Sequence, residues 1–200
     1  MQESIRSKDE LRLHILLKNV IDPFKMPIRK SLYIAFVEGI FMLIADSLRD
    51  DLILCSKTLV FPISQAEFKP KFRENFIEAE VPIISNRGDF SLRIRRNKLS
   101  ENGFSIILLW KDGENKWRVI VRYNSSHAHT NKIENQRIEG FHRHKITEVY
   151  QRSGIKEEGF AELTDTYNTE TEALNQLLSD CNISYPRDSM NFYFKRGNGR

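Results

Sequence analysis

The stretch FSIILLWKDGENKWRVIVRYN, Phe104–Asn124, decides the fold class of this chain. Two runs dense in β-branched and aromatic residues, Phe104 to Trp110 and Lys116 to Asn124, flank Lys111-Asp112-Gly113-Glu114-Asn115. Apolar runs separated by Asp, Gly and Asn spell a β-hairpin, because those residues accept the tight backbone angles of a turn. Strand side chains alternate, so Trp117, Val119, Val121 and Tyr123 share one face while Arg118, Ile120 and Arg122 share the other. One step back, Gly88-Asp89 opens a strand from Phe90 to Arg96, with Leu92 and Ile94 opposing Arg93 and Arg95. Three such strands in succession form an antiparallel meander. Were their polar faces aligned, several guanidinium groups would line one surface; a merely solvated sheet face gives the same pattern.

Outward from this centre the signal changes. Leu59 to Ile63 and Phe76 to Ile84 read as strands, with Pro62 and Pro82 placing them at edges or bulges. Before Leu52 the spacing is helical. Ser7 with Glu10 is a capping box opening a helix that Asp22-Pro23 ends. Pro27 suits a first helical turn, and Leu32, Phe36, Ile40, Phe41, Ile44 and Leu48 then recur along a main buried helix ending near Arg49 to Asp51. Downstream, Lys145 to Arg152 reads as one or two helical turns closed by Gly154. Thr169 with Glu172 caps a helix carrying Ala173, Leu174, Leu177 and Leu178 and ending near Cys181. Met190 to Phe194 is a final strand, and the terminal KRGNGR is expected to fray. The expected fold class is α+β: N-terminal helices packed on a twisted antiparallel sheet, with a C-terminal helix and strand. A single domain spans residues 1–200, with a helical region at 1–51, the sheet carrying the histidines at 52–145 and a helical and strand tail at 146–200.

Composition bounds the function. A chain of 200 residues with 40% apolar content supports one core. A net charge of +4 and a pI near 9.0 permit a nucleic-acid or phosphate partner without requiring one. Cys55 and Cys181 stand in no ligand spacing, which argues against a disulfide scaffold and a zinc ribbon and for a reducing cytoplasm. The charged start MQESIRSKDELR lacks a signal-peptide core. The apolar run Leu32 to Ala45, about 14 residues, falls short of the roughly 20 needed to span a bilayer, so no membrane is expected.

Four of the five histidines fall in VIVRYNSSHAHTNKIENQRIEGFHRHKITE, residues 119–148. His127 and His129 form one His-x-His pair and His142 and His144 another, each pointing two imidazoles to one side of a strand. Laid side by side, the segments would bring all four rings together. His14 lies apart from them and reads as structural or exposed. Imidazole titrates near working pH, so one ring can accept a proton while another donates one. Cleavage of an RNA phosphodiester by its own 2′-hydroxyl needs such a pair and cations on the phosphate, with no metal or other cofactor. His142 and His144, with His129, would supply proton transfer; Arg122, Asn124, Asn131, Arg143 and Lys145 would hold substrate, arginine binding phosphate as a planar fork.

Other readings compete. Imidazoles with Glu139 or Glu148 are also a metal-ligand set, as in a metal-dependent hydrolase. His142-x-His144 followed by Glu148 has the spacing of the first cupin metal motif, without a second motif downstream. The arginine-bearing face also suits a non-catalytic module that binds nucleic acid or protein. The histidines also read as hydrogen-bonded residues bracing a polar turn. There is no nucleophile elbow, Walker A loop or dinucleotide glycine motif.

Arg122-Tyr123-Asn124, His129-Thr130-Asn131, Ile138 with Gly140, and His142-Arg143-His144 together resemble a group of small prokaryotic proteins. Those proteins share an arginine-bearing strand, an H-x-N or H-H element and a closing H-x-H. The segment Phe104 to Tyr150 is similar to TumE-like toxins of toxin–antitoxin pairs. That resemblance implies a bacterial or phage protein from a defence or toxin–antitoxin setting, acting on RNA and paired with an antitoxin or other protein partner. It carries over to Arg122, Asn124, His129, Asn131, His142 and His144. The long N-terminal region and the spacing of the doubled histidines depart from it.

Overall fold

A computed structural model describes residues 43–70, 75–100 and 102–184. The helices expected before residue 43, the strand Met190 to Phe194 and the basic end lie outside the described residues. Among the described residues the chain is mostly β, a correction to the α+β expectation: a curled nine-stranded mixed sheet, half a barrel, with three short helices. The strands are β1 (Lys57–Leu59), β2 (Lys69–Pro70), β3 (Phe76–Ile84), β4 (Phe90–Asn97), β5 (Phe104–Lys111), β6 (Trp117–Asn131), β7 (Gln136–Lys145), β8 (Phe160–Leu163) and β9 (Ile183–Ser184). The helices are α1 (Asp46–Leu54), α2 (Glu148–Arg152) and α3 (Glu170–Asp180). The sheet runs β8-β7-β6-β5-β4-β3-β1-β9, with β2 also on β3. Every pairing is antiparallel except that of β1 with β9.

The expected meander forms from β3 onward. Asp112 makes the β5–β6 turn: its carboxylate accepts from the Glu114 and Lys116 amides at 2.9 Å each, while Asn115 adopts φ 63°. Asparagine tolerates that left-handed angle because its side chain can bond locally. The inward face of the sheet carries Val81, Leu92, Ile94, Ile106, Leu108, Val121 and Tyr123, which cluster with Ala173, Leu174, Leu177 and Leu178 of α3. Thr169 caps α3 as its sequence predicts, accepting from the Glu172 amide, and the Glu172 carboxylate accepts from the Asn168 amide at 2.8 Å. The Tyr167 hydroxyl donates to the His142 carbonyl at 2.8 Å, which ties this core to the histidine ribbon.

Two element boundaries differ from expectation for physical reasons. Ile44 does not continue a helix: Ala45 is extended, α1 starts at Asp46, and the Gln151 side chain clasps both the amide and the carbonyl of Ile44 at 2.9 and 2.8 Å. The strand read at Leu59 to Ile63 is instead Lys57–Leu59, and Pro62, lacking an N–H, precedes a 3-10 turn at Ile63–Gln65. Among the described residues no helix is long and apolar enough to cross a membrane.

Candidate functional site

Strands β6 and β7 pair along most of their length, and the histidines occupy this ribbon as strand residues rather than loop residues. Arg122 pairs with His144 and Asn124 with His142, so these four side chains share one face. His127 and His129 stand at odd spacing from Asn124, and a regular strand would send them to the opposite face. The register shifts between Asn124 and His127, so that His127 pairs with Gly140 and His129 with Ile138. That bulge inserts one residue and returns both rings to the face of His142 and His144.

The four rings therefore meet. Ring centroids lie 4.5 Å apart for His127 and His142, 4.6 Å for His129 and His144, 4.9 Å for His142 and His144, and 5.7 Å for His129 and His142. Each ring is anchored on a backbone carbonyl: His127 Nδ1 on Ser125, His129 Nε2 on Gly159, His142 Nδ1 on Gly140 and His144 Nδ1 on Glu158, at 2.8–3.0 Å. A carbonyl only accepts, so each of these nitrogens carries the proton and the tautomer is set. Gly140 turns its carbonyl toward His142 with φ 130°, an angle that side chains with a Cβ rarely adopt.

Burial divides the cluster. His142 and His144 are 0% and 2% exposed, His129 is half-buried and His127 is exposed. Burial holds His142 down to about 4 and His144 down to about 2, with the Arg122 guanidinium adding to both effects. Both are neutral at neutral pH. As neutral rings each carries one proton, on Nδ1, where it is engaged by a backbone carbonyl. Asn124 is oriented by Ser105 Oγ, which donates to its Oδ1 at 2.7 Å, and its Nδ2 faces His142 Nε2 at 3.3 Å. With Nδ1 protonated, His142 Nε2 is the acceptor of that contact.

The other predicted residues separate. Asn131 binds both the amide and the carbonyl of Ala161 at 2.8 Å and holds β8 onto the ribbon, which is a structural role. Arg143 and Lys145 point away from the histidines: Arg143 meets Asp180 at 3.4 Å and Lys145 meets Glu162 at 2.9 Å. Alternation along β7 requires this, because residues 143 and 145 cannot share a face with 142 and 144. Arg122 stays with the cluster, largely buried beside His144.

Compared with protein-family models, curated proteins and solved structures, the chain matches none. The site is therefore read from its own chemistry. Among the described residues no three His, Cys, Asp or Glu side chains are arranged to hold one metal ion, and the Asn124 amide faces the nitrogen that His142 would offer.

Sequence reasoning missed the strap from Ser153 to Gly159, whose only cue is its Gly content. It supplies the Glu158 and Gly159 carbonyls that anchor His144 and His129. A Cβ on Gly159 would sit 2.7 Å from the Lys156 carbonyl and 2.7–2.8 Å from the Tyr150 ring. Gly159→Ala is expected to cost about 1–3 kcal/mol, the range for overpacking, and to free the His129 ring. Thermal unfolding with NMR of the imidazole signals checks both effects; an unshifted midpoint with an unmoved His129 signal would contradict them.

Proposed function

We propose that the chain is a toxin-like ribonuclease that cleaves RNA phosphodiesters by histidine acid–base chemistry. The observation that carries this reading is the convergence of four imidazoles with fixed tautomers, two buried and neutral and two reaching solvent. His127 and His129 are the proton-transfer pair. Their free nitrogens, His127 Nε2 and His129 Nδ1, make no hydrogen bond among the described residues. Two residues apart on a strand, their backbones are about 7 Å apart, a span that fits one imidazole on each side of a phosphate. One takes the proton of the 2′-hydroxyl as its oxygen attacks phosphorus; the other protonates the departing 5′-oxygen, leaving a 2′,3′-cyclic phosphate. His142 and His144 are positioning residues that hold the outer rings through edge contacts. Arg122 offsets the charge on phosphorus-bound oxygen.

A cytoplasmic setting and a protein partner of antitoxin type belong to the same proposal, the first supported by two free cysteines. The alternative of a binding module on the arginine face has less support. Arg93 and Arg95 spend their charge on Glu80 and Glu78 at 2.6 Å, which leaves little field for a polyanion.

The test is cleavage of mixed RNA by the wild type and by His127→Ala, His129→Ala and His142→Ala, with and without a chelator. Loss of about 100-fold or more in either outer-histidine variant, unaffected by chelation, is expected. Intact RNA in every wild-type reaction would sink the nuclease reading, and loss on chelation would move the assignment to a metal hydrolase.

A further inference from the structure

The four other arginines on β4 and β6 each meet a carboxylate at hydrogen-bond distance. Arg93 reaches Glu80 at 2.6 Å, Arg95 reaches Glu78 at 2.6 Å, Arg96 reaches Glu170 at 2.6 Å and Arg118 reaches Glu157 at 2.8 Å. Arg122 does not. Among the described residues the carboxylate within 4 Å of it, Glu158, stands 3.8 Å away, beyond hydrogen-bond range, and its buried Nε has no partner. The Arg122 side chain keeps 16% exposure, so the guanidinium is largely desolvated yet still reachable. A buried cation with donors unspent is costly in a folded protein unless an anion completes it. The groups around it do not: Arg95 adds like charge, and His142 and His144 are neutral.

Glu158 is already committed elsewhere. The same carboxylate oxygen that faces Arg122 lies 3.0 Å from Lys156 Nζ, on a side chain that is 60% exposed. The strap therefore offers the carboxylate two cations, a loose one inside and a close one outside.

We propose that Arg122 is the seat for a phosphate group and that Glu158, held on Lys156, is a loose strap-borne stand-in that competes with phosphate for it. The identity of the anion rests on the phosphodiester reading above; the unsatisfied guanidinium and the distant carboxylate do not. A tetrahedral oxyanion brings several acceptors to a fork that the single distant carboxylate leaves unfilled. The strap carries the Glu158 and Gly159 carbonyls as well, so docking at Arg122 is coupled to the rings of His144 and His129.

Inorganic phosphate is the probe, titrated at constant ionic strength against the wild type, Glu158→Gln, Glu158→Asp and Arg122→Gln, with thermal unfolding as readout. A ligand that binds only the folded state raises the midpoint according to its affinity. Glu158→Gln keeps the backbone carbonyl that holds His144 and removes only the competing charge. It is expected to bind phosphate about fivefold to tenfold tighter than the wild type, the effect of one loosely held charge. Glu158→Asp should return toward wild-type affinity, and Arg122→Gln should show no phosphate response. Equal or weaker binding by Glu158→Gln would overturn the stand-in role, and an undiminished response in Arg122→Gln would overturn the seat. RNA cleavage is scored separately. If Glu158→Gln tightens phosphate binding while RNA stays intact, the seat stands and the nuclease reading falls; cleavage with unchanged phosphate binding gives the reverse.

Discussion

Acidification from pH 6.5 to pH 4 is expected to remove a large part of the stability of this fold. His142 and His144 are buried and neutral, with folded values of about 4 and about 2, against 6.5 for an unfolded histidine. Above pH 6.5 both states carry neutral rings and the pair contributes its full stability. As pH falls below 6.5 the unfolded chain takes up protons that the folded chain refuses, so stability falls until pH reaches the folded values. The slope is about 1.4 kcal/mol per pH unit for each ring, or about 2 kcal/mol per ring by pH 5. Against a typical total of about 5–15 kcal/mol, two such rings are decisive. Urea midpoints measured from pH 7.5 to pH 4.5 check this, with His142→Gln plus His144→Gln as the comparison. The wild-type curve should drop steeply below pH 6.5 and the double variant should be flatter. Parallel curves would mean that His142 and His144 take up protons in the folded state, and their assignment as buried neutral rings would fail. The proposed catalytic assignment rests on the same difference in burial, because His127 and His129 are the rings that reach solvent.

What the sequence discloses about this molecule follows the range of the interaction involved. Period-two alternation in Phe90 to Arg96 and the apolar run Phe104 to Trp110 report a local property, the strand itself, and those strands form. In Lys116 to Asn124 a bulge opposite Leu108 and Leu109 turns Ile120 into the core and leaves Trp117 exposed, and the strand runs on to Asn131. The capping boxes are equally local. The mixed topology is not, because the parallel partner of β1 comes from Ile183–Ser184, more than a hundred residues away. Two residues of strand are too few to leave a periodic mark. The histidine cluster sits between these limits. Two His-x-His pairs were visible, but their sharing of a face depends on a bulge between Asn124 and His127, and nothing in Ser125-Ser126 announces it. By the same logic Arg143 and Lys145 were grouped with the site because they adjoin its histidines in sequence, whereas adjacency on a strand is what separates them in space. The strap was illegible because it acts through carbonyls, which every residue has.

Lys57→Met is expected to cost about 3–5 kcal/mol, although the sequence reading places this strand at Leu59 to Ile63 and leaves Lys57 out of it. Lys57 is 1% exposed, and among the described residues it is held by backbone carbonyls. Its ammonium donates to the carbonyls of Ile53 at 2.8 Å, Cys55 at 2.7 Å and Cys181 at 2.7 Å. Those carbonyls close the C-terminal ends of α1 and α3, where backbone acceptors lack intrahelical partners and the helix dipoles are negative. Three donors meet three acceptors, so the fully protonated amine is the form that satisfies the site, even though desolvation pushes its pKa down. The same residue also lies in β1, whose amide bonds the Asn182 carbonyl beside the parallel β1–β9 pairing. One side chain thus fastens both helix ends to the edge of the sheet. Methionine matches its length and apolar stem but leaves three buried acceptors unpaired, each worth about 1–3 kcal/mol when orphaned and partly offset by no longer burying a charge. For a domain of this size the loss corresponds to a midpoint about 10 °C lower. Denaturant unfolding of Lys57→Met checks the figure, and a change below about 1 kcal/mol, the worth of an exposed pair, would show that the carbonyls find water instead. The histidine ribbon is a separate test of the same variant. Lys57 pairs at the far end of the sheet order from β6 and β7, so RNA cleavage per folded molecule should be unchanged while the folded fraction falls. A drop in cleavage per folded molecule would instead mean that the two ends of the sheet are coupled.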